Sequence, residues 1–362
     1  MDAPQRTYPN RSIEAINFLY EQGWTDGLPV IPPTEEAVDW MLTGTDRDRT
    51  EVIAYMAPAN GEATVEAIAA NAAMAGCEPE MLPVVIATIQ AVTEPQLNLA
   101  GRQTTTSPGA PIVIVNGPIA RELDVNGGFN AFGPGWRANA AIGRALRLCC
   151  RNIGGGIPGH TDRSTMGHPG KYTYCIAENE AESPWEPLHV ERGLPKESSA
   201  VTLLWGEAPH NINDQRSSSA EGILRNICST MSTLGCNLLY RPGEALIVLS
   251  PEHAATIVAS GWSKNDVKHF IYDHARQPLS KAKYGGFFGV GEFPKWVDLT
   301  DDNSTLPIVL SPQNLLVAVA GGPGRHSVAM MTPGATASVT KPITLRDGSH
   351  ARSIVDFAKA RR

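Results

Sequence analysis

The chain has 362 residues, a formal net charge of −7 at pH 7 and a charged fraction of 19%. A chain of this length favours two domains or one large α/β unit. The excess of acidic residues argues against a nucleic acid or an anionic membrane as partner, because a negative surface attracts neither. Its 34 glycines and 28 prolines follow no collagen-like period, which is typical of a compact, loop-rich, enzyme-like protein.

Neither a targeting segment nor a membrane span is evident in the sequence. Residues 1–12 are polar and lack the apolar stretch of a signal peptide. The longest apolar run, Leu82 to Val92, is too short to cross a bilayer. Six cysteines in a chain of this length, without a C-x-x-C motif, do not indicate a disulfide scaffold. We therefore expect a cytoplasmic protein with reduced thiols.

The first hundred residues are predicted to be mostly helical. Ser12 and Thr34 stand where N-caps are favoured, each directly before a helical pattern. Gly76 follows an alanine-rich segment and suits the position just past a helix end. The predicted helices are Ile13–Glu21, Glu35–Leu42, Thr64–Ala75 and Pro79–Val92.

Beyond residue 100, apolar runs alternate with helical segments, which favours an α/β core with some parallel pairing. Three apolar runs are followed by a polar or small residue and then a proline suited to the first helical position. These places are Asn116-Gly117-Pro118, Ser250-Pro251 and Ser311-Pro312, and a duplicated α/β module is one interpretation of them. The predicted strands are Pro111–Val115, Ser199–Trp205, Ala245–Leu249 and Leu306–Leu310, and the predicted helices cover 139–150, 218–234 and 251–260.

The fold class predicted from these patterns is α/β, with a helical N-terminal region followed by strand–helix units around a mixed, partly parallel sheet. We place a mostly helical region over 1–100 and an α/β core with a glycine-rich polar site over 101–277. A strand-rich region over 278–362 is expected to pack on that core.

Residues 127–193 are the part of the chain that folding requirements explain least. Glycines there allow a backbone to approach a ligand closely. Asn, His, Asp and Glu side chains supply oriented donors, acceptors and metal ligands. Apolar periodicity is sparse in this stretch, so we place the candidate functional site in it.

The most metal-like pattern is His160-Thr161-Asp162 followed by His168. Alternate residues of an extended segment point the same way, so His160 and Asp162 could share one ligand sphere that His168 closes. Imidazole and carboxylate ligands suit a divalent transition metal such as zinc, iron or manganese. Hydrogen bonding within the loop is the competing interpretation, and acid–base catalysis by His168 is a third.

Glu178 and Glu180 are the candidate proton-transfer residues. Two carboxyl groups one residue apart can take different roles when one of them is desolvated and its pKa is raised. A solvated acidic loop is the alternative, since Glu182 and Glu186 continue the acidity.

A glycine-rich loop leads through Trp136 and Arg137 into the predicted helix that holds Asn139. Backbone amides before a helix can hold a carboxylate or phosphate. Trp136, Arg137, Asn139 and Lys171 are accordingly the predicted substrate-binding residues, with tight turns alone as the alternative. The loop matches neither the Walker pattern nor G-x-G-x-x-G, so no nucleotide cofactor is predicted.

Six segments of the chain carry a resemblance to a known family. They are Gly23–Thr34, Asn71–Glu80, Gly133–Arg144, Gly167–Tyr172, Glu178–Pro187 and Ser250–Ala254. Together they resemble a family of bacterial proteins that accompany UGSC-motif (seleno)proteins. The resemblance implies one half of a two-component system whose other half carries a Cys-Gly-Ser-Cys or selenocysteine motif. This chain lacks that motif, so a reactive thiol or selenol would belong to the partner.

The sequence supports two hypotheses on function. In the first, the chain is an enzyme subunit that acts on a small polar molecule, expected to be anionic, by metal-assisted or acid–base lyase or hydrolase chemistry. In the second, it is a non-catalytic scaffold that completes the pocket of a Cys- or Sec-dependent partner, or a small-molecule binding protein. Both hypotheses lead us to expect a homo- or hetero-oligomer.

Overall fold

A computed structural model describes residues 11–285, 295–332, 334 and 336–360. Helices alternate with strands in mixed sheets that contain parallel pairs, so the protein is an α/β protein, as predicted. Within these residues the strands form two four-stranded and two two-stranded sheets, where we had predicted one mixed, partly parallel sheet. The strands are β1 Val52–Met56, β2 Gly61–Thr64, β3 Ala110–Asn116, β4 Cys175–Ala177, β5 Ala200–Gly206, β6 His210–Asn213, β7 Ala245–Leu249, β8 Arg276–Pro278, β9 Thr305–Pro307, β10 Leu315–Val319, β11 His326–Met331 and β12 Val339–Pro342.

Helices cover the outer faces of these sheets. In the parts of the chain that the structure describes, none of them combines the length and the apolar character needed to cross a bilayer. The helices are α1 Arg11–Glu21, α2 Glu35–Leu42, α3 Val65–Ala75, α4 Leu82–Val92, α5 Leu99–Gln103, α6 Pro118–Glu122, α7 Arg137–Asn152, α8 Leu188–Glu191, α9 Ala220–Met231, α10 Asn237–Tyr240, α11 Pro251–Ala259, α12 Lys264–His274, α13 Leu279–Tyr284 and α14 Val355–Ala360.

The two four-stranded sheets share one topology. The first sheet has the order β4-β3-β5-β12, and the second has the order β10-β7-β11-β6. In each sheet the second strand is parallel to the first and antiparallel to the third. The third strand is antiparallel to the fourth in both sheets. The structure therefore contains two copies of one α/β arrangement, in agreement with the duplicated module suggested by the sequence.

The outermost strands of the two sheets are exchanged between the copies. Strand β6 follows β5 in the chain after only three residues, yet it pairs with β11 in the second sheet. Strand β12 follows β11, yet it pairs with β5 in the first sheet. The hydroxyls of Thr202 on β5 and Thr340 on β12 lie 2.9 Å apart across this junction. Each copy thus completes the sheet of the other.

The protein is built in four layers, helices–sheet–sheet–helices. Ile112 and Ile114 of the first sheet pack on Leu246 and Val248 of the second sheet in a shared core. On the opposite face of the first sheet, Val113 and its neighbours pack on α3, α4 and α7. The second sheet likewise buries its outer face against α9, α11 and α12. A strand that is covered on both faces carries apolar side chains on both faces. The sequences of β3 and β7 are therefore almost continuous apolar runs.

Local signals located several elements correctly. Helix Glu35–Leu42 and strand Ala245–Leu249 have the predicted bounds, and the Thr34 hydroxyl accepts the predicted capping hydrogen bond from Ala37 N. The N-terminal region also contains the β1–β2 hairpin, which we had not predicted.

The predicted strand Leu306–Leu310 is wrong in extent, since only Thr305–Pro307 pairs, and it pairs with β8. The strand that pairs with β7 is β10. Ser311-Pro312, which the sequence suggested as a helix start, opens a single 3-10 turn. Strands β6, β7, β10 and β11, on both sides of residue 278, form one sheet, so that position does not separate two sheets.

Candidate functional site

The predicted site divides into two clefts at opposite ends of the β3–β4 pair. Asn116 ends β3 and Glu178 directly follows β4, so both lie at the carboxyl end of this parallel pair. His168 and Lys171 precede β4 and lie at its amino end. The seven residues of β3 span roughly 20 Å at about 3.3 Å per residue. The candidate residues therefore cannot form one site.

The acidic cleft is the one at the carboxyl ends of the strands, the position where α/β folds bind ligands. It encloses about 740 Å³ between the loop after β3, the loop after β4 and the entry to α8. Asn179 N donates to Val319 O at the end of β10 (2.7 Å), which joins the loop after β4 to the second sheet. The lining of the acidic cleft includes Arg121, Glu178, Glu180, Trp185, Val190 and Lys196.

Asn116 links the two predicted carboxyl groups. Its Nδ2 donates to Glu178 Oε2 (2.7 Å) and to Glu180 Oε1 (3.1 Å). Its own Oδ1 is buried without a hydrogen-bond partner among the described residues. One amide thus holds two carboxyl groups that would otherwise repel each other when both are charged.

Glu178 is buried, with 5% of its surface exposed. Its Oε2 accepts a second hydrogen bond from Leu188 N (2.7 Å), whereas its Oε1 is buried with no partner in the described part of the chain. Burial raises the pKa of Glu178, against the opposing effects of Lys264 and of these two donors. A protonated Glu178 would carry its proton on Oε1, because Oε2 already accepts two N–H groups.

The Glu180 side chain accepts hydrogen bonds from three donors. Gly117 N donates to Oε1 (2.7 Å) in addition to Asn116, and Arg121 approaches Oε2 at 3.3 Å. Gly117 has φ +88°, and a Cβ there would lie 2.3 Å from Ser198 O. Only glycine therefore places this amide against Glu180, in the turn that the Asn116-Gly117-Pro118 pattern had indicated.

His189 is a functional candidate that our sequence-based site omitted. It is fully buried on α8, and neither ring nitrogen has a hydrogen-bond partner of good geometry among the described residues. Its Nδ1 lies 3.9 Å from Glu180 Oε1. Burial lowers its pKa, although the Glu180 carboxylate opposes this effect. Its place in the polar stretch was the only signal in the sequence, and tertiary contacts alone bring it to Glu180.

The basic cleft encloses about 520 Å³ at the amino ends of β3 and β4. Arg147 and Arg151 of α7 form one wall, Asp26 lies at one side, and residues 156–172 contribute the rest of the lining. Buried Asp162 accepts two hydrogen bonds from Lys171 Nζ, at 2.9 and 2.7 Å. Burial lowers the pKa of Lys171, while Asp162 opposes the shift.

His168 lines the basic cleft as a neutral imidazole. Gly170 N donates to its Nδ1 (3.1 Å), so that nitrogen carries no proton, and Nε2–H donates to Gly206 O (3.3 Å). Burial lowers the pKa of His168. Both ring nitrogens are thus used in holding the loop that leads into β4.

The predicted metal ligands are only partly brought together. Asp162 and His168 line the basic cleft, while His160 is exposed and is not among its lining residues. Within the described ranges, no group of three His, Cys, Asp or Glu side chains is arranged to hold a metal ion. Metal binding at His160, Asp162 and His168 stays a prediction, and Asp162 is the ligand that Lys171 already occupies.

Three predicted substrate-binding residues lie at the start of α7. Arg137 binds the Glu78 carboxylate and the carbonyl oxygen of Gly76. Buried Asn139 donates to Asn126 O (2.9 Å) and accepts from Asn126 N (2.7 Å), so its amide fixes the loop after α6. Trp136 is the half-buried N-cap residue of α7. None of the three lines either cleft.

Comparison with known protein families finds no matching family model, and no curated protein matches the chain. The resemblance to companions of UGSC-motif proteins therefore stays a prediction. Function is accordingly inferred from the chemistry of the two clefts.

Proposed function

We propose that the chain is a subunit of a cytoplasmic enzyme that performs acid–base chemistry, of the lyase or hydrolase type, on a small anionic molecule in the acidic cleft. The observation that carries the proposal is the pair Glu178 and Glu180, joined by Asn116 in contrasting surroundings. Pairs of titratable groups whose environments separate their pKa values are typical of general acid–base sites.

Each carboxyl group has a role that its surroundings favour. Glu178 is the general acid, because burial raises its pKa. Its Oε1 has no hydrogen-bond partner among the described residues, so a proton on Oε1 is not already shared with another group of the protein. Glu180 is the general base, because it lines the acidic cleft and Asn116, Gly117 and Arg121 hold its side chain in place. His189 supports Glu180 from the buried side, at 3.9 Å.

A negative group of the substrate would bind beside Arg121 and Lys196, the two cationic residues in the lining of the acidic cleft. Glu178, Glu180 and Glu186 also line the cleft and would keep the negative group at that side. Trp185 and Val190 supply the apolar part of the wall. A volume of about 740 Å³ suits a molecule of metabolite size.

The proposal is tested by turnover of small hydroxy acids, amides and dicarboxylates with the wild type, Glu178→Gln and Glu180→Gln. Glu182→Gln is the matched control, since Glu182 is exposed in the same loop. Each of the first two variants should lose roughly a hundredfold or more in kcat, the usual effect of removing a general acid or base. Equal activity in all four proteins would contradict the proposal.

A second candidate function is suggested by the cysteines. All six are buried as free thiols, and burial raises the pKa of Cys77 to about 12. A buried thiol with a raised pKa is a poor nucleophile. A thiol or selenol reaction at this protein would therefore need a partner subunit, for which this chain would act as a scaffold that completes the pocket. Activity of the isolated chain would contradict that alternative.

A further inference from the structure

We propose that the basic cleft is a second binding site, which takes a small oxyanion (a carboxylate or phosphate group) between Arg147 and Arg151. This site lies at the opposite end of the β3–β4 pair from the acidic cleft and is independent of the proposed reaction.

The two guanidinium groups are placed by the helix that carries them. Arg147 and Arg151 are four residues apart on α7, so their Cβ atoms lie about 5–6 Å apart on one face. Arg147 Nε donates to Lys171 O (3.0 Å), and Arg151 Nε donates to Gly23 O (3.2 Å). Arg151 also donates to Gly23 O through a terminal nitrogen (3.0 Å), so these carbonyl groups hold both side chains in the lining of the basic cleft.

The carboxylates of the cleft are already paired with other cations. Both oxygens of Asp162 accept hydrogen bonds from Lys171. Both oxygens of Asp26 accept hydrogen bonds from Arg144, each at 2.8 Å. The positive charges of Arg147 and Arg151 are therefore the excess charge of this cleft.

Among the described residues, Arg147 has one long ion pair, with the Asp162 carboxylate that Lys171 binds more closely. Only 8% of its surface is exposed, yet its hydrogen bonds go to the neutral oxygens of Lys171 and Gln103. The nearest carboxylate oxygen, of Asp162, lies 4.0 Å from its terminal nitrogen. Burying a charge without a close counterion is unfavourable, and a bound oxyanion would remove much of that cost. The planar guanidinium matches both carboxylate and phosphate oxygens.

Calorimetric titration with inorganic phosphate and with succinate tests the site and separates the two oxyanion classes. We expect saturable binding of at least one of them to the wild type. Arg151→Gln should weaken that binding roughly tenfold or more, since one charge-assisted donor group is lost. Arg163→Gln is the matched control, because Arg163 is exposed in the neighbouring loop and does not line the cleft.

Two further variants keep the test decisive. Arg147→Lys retains the charge and should weaken binding less than Arg147→Gln, with circular dichroism used to verify folding. Glu182→Gln should leave binding unchanged, since Glu182 is exposed and does not line the basic cleft. No saturable binding of either anion would overturn the proposal. So would equal weakening in Arg163→Gln or in Glu182→Gln.

Discussion

Glu178 and Ala320 occupy equivalent positions in the two copies of the α/β arrangement. Glu178 N donates to Val115 O at the end of β3 (3.2 Å), and Ala320 N donates to Leu249 O at the end of β7 (3.0 Å). The same backbone geometry is thus formed once with a buried carboxyl group and once with a methyl group.

The second sheet shows which side chains the fold accepts at the positions of Asn116 and Glu178. In the second sheet, Ser250 stands where the first sheet has Asn116, and its hydroxyl caps α11 by accepting from His253 N (3.4 Å). That end of the second sheet folds without an acidic pair. The equivalent position in the second sheet accommodates a residue without a carboxyl group, whereas burial of the Glu178 carboxyl group carries a desolvation cost. This contrast motivates the proposal that Glu178 acts in catalysis.

The first prediction concerns the pH dependence of stability in Glu178→Gln. The pKa of Glu178 is raised above its usual value of 4.5, so the folded state binds this proton more tightly than the unfolded state does. Its contribution to stability is fully present below the unfolded pKa and is lost as pH rises through the folded pKa. Glutamine does not titrate, so Glu178→Gln does not lose this stability as pH rises. The free energy of unfolding that the wild type loses is about 1.4 kcal/mol for each unit by which the pKa is raised.

Urea unfolding measured from pH 4 upward checks this prediction. The free energy of unfolding of Glu178→Gln relative to wild type should increase from about pH 4.5, the usual Glu value, and level off above the raised pKa. Glu182→Gln should run parallel to the wild type, because its side chain is exposed. A constant difference between Glu178→Gln and the wild type at all pH values would show that the carboxyl group titrates normally.

The second prediction concerns the ion pair between Asp26 and Arg144, which anchors the segment before α2 to α7. Both side chains are 14% exposed, and Arg144 also donates to Pro29 O (2.9 Å). Asp26→Asn should lower the free energy of unfolding by roughly 2 kcal/mol, since a charge-assisted hydrogen-bonded pair is lost. Hydrogen exchange of residues 23–34 should become faster.

Asp39→Asn provides the control for the ion-pair prediction. Asp39 pairs with Arg49, but the two side chains are 54% and 43% exposed. Solvent screens such a pair, so its loss should change stability by less than about 0.5 kcal/mol. Equal effects of the two substitutions would contradict an anchoring role for Asp26.

The third prediction concerns the strand exchange. We consider a chain divided within the exposed loop before α9, into fragments 1–216 and 217–362. The first fragment then holds β6, which pairs in the second sheet, and the second fragment holds β12, which pairs in the first sheet. Unpaired sheet edges favour aggregation. Each fragment alone should be unfolded or aggregated, while co-expressed fragments should copurify as a folded complex. A stable monomeric fragment, seen by circular dichroism and gel filtration, would contradict the exchange.

The fourth prediction concerns metal content. Elemental analysis of protein purified without chelators or a histidine tag tests the predicted site at His160, Asp162 and His168. A resident metal should be near-stoichiometric in the wild type and lost in both His160→Ala and His168→Ala. Retention of metal in both folded variants would place it elsewhere and contradict this ligand set.

Local patterns in the sequence determined the elements whose causes are themselves local. Thr34 caps a helix because its hydroxyl reaches an amide three residues away, and Ala245–Leu249 forms a buried strand because every side chain in it is apolar. The proximity of Glu178 and Glu180 was also predictable, since two carboxyl groups close in sequence remain close in space.

Tertiary structure alone decided how these elements combine. The apolar run at 306–310 was as suitable for a strand as 315–319, but pairing with β7 depends on partners far away in the chain. His168 and Glu178 lie in different clefts because they lie near opposite ends of β3, and the seven extended residues of β3 keep those ends apart. Asn116 and His189, which lie against the two carboxyl groups, are 62 and 11 residues from Glu178 in the sequence. No local pattern records such distances, since they arise only when the strands and α8 pack together.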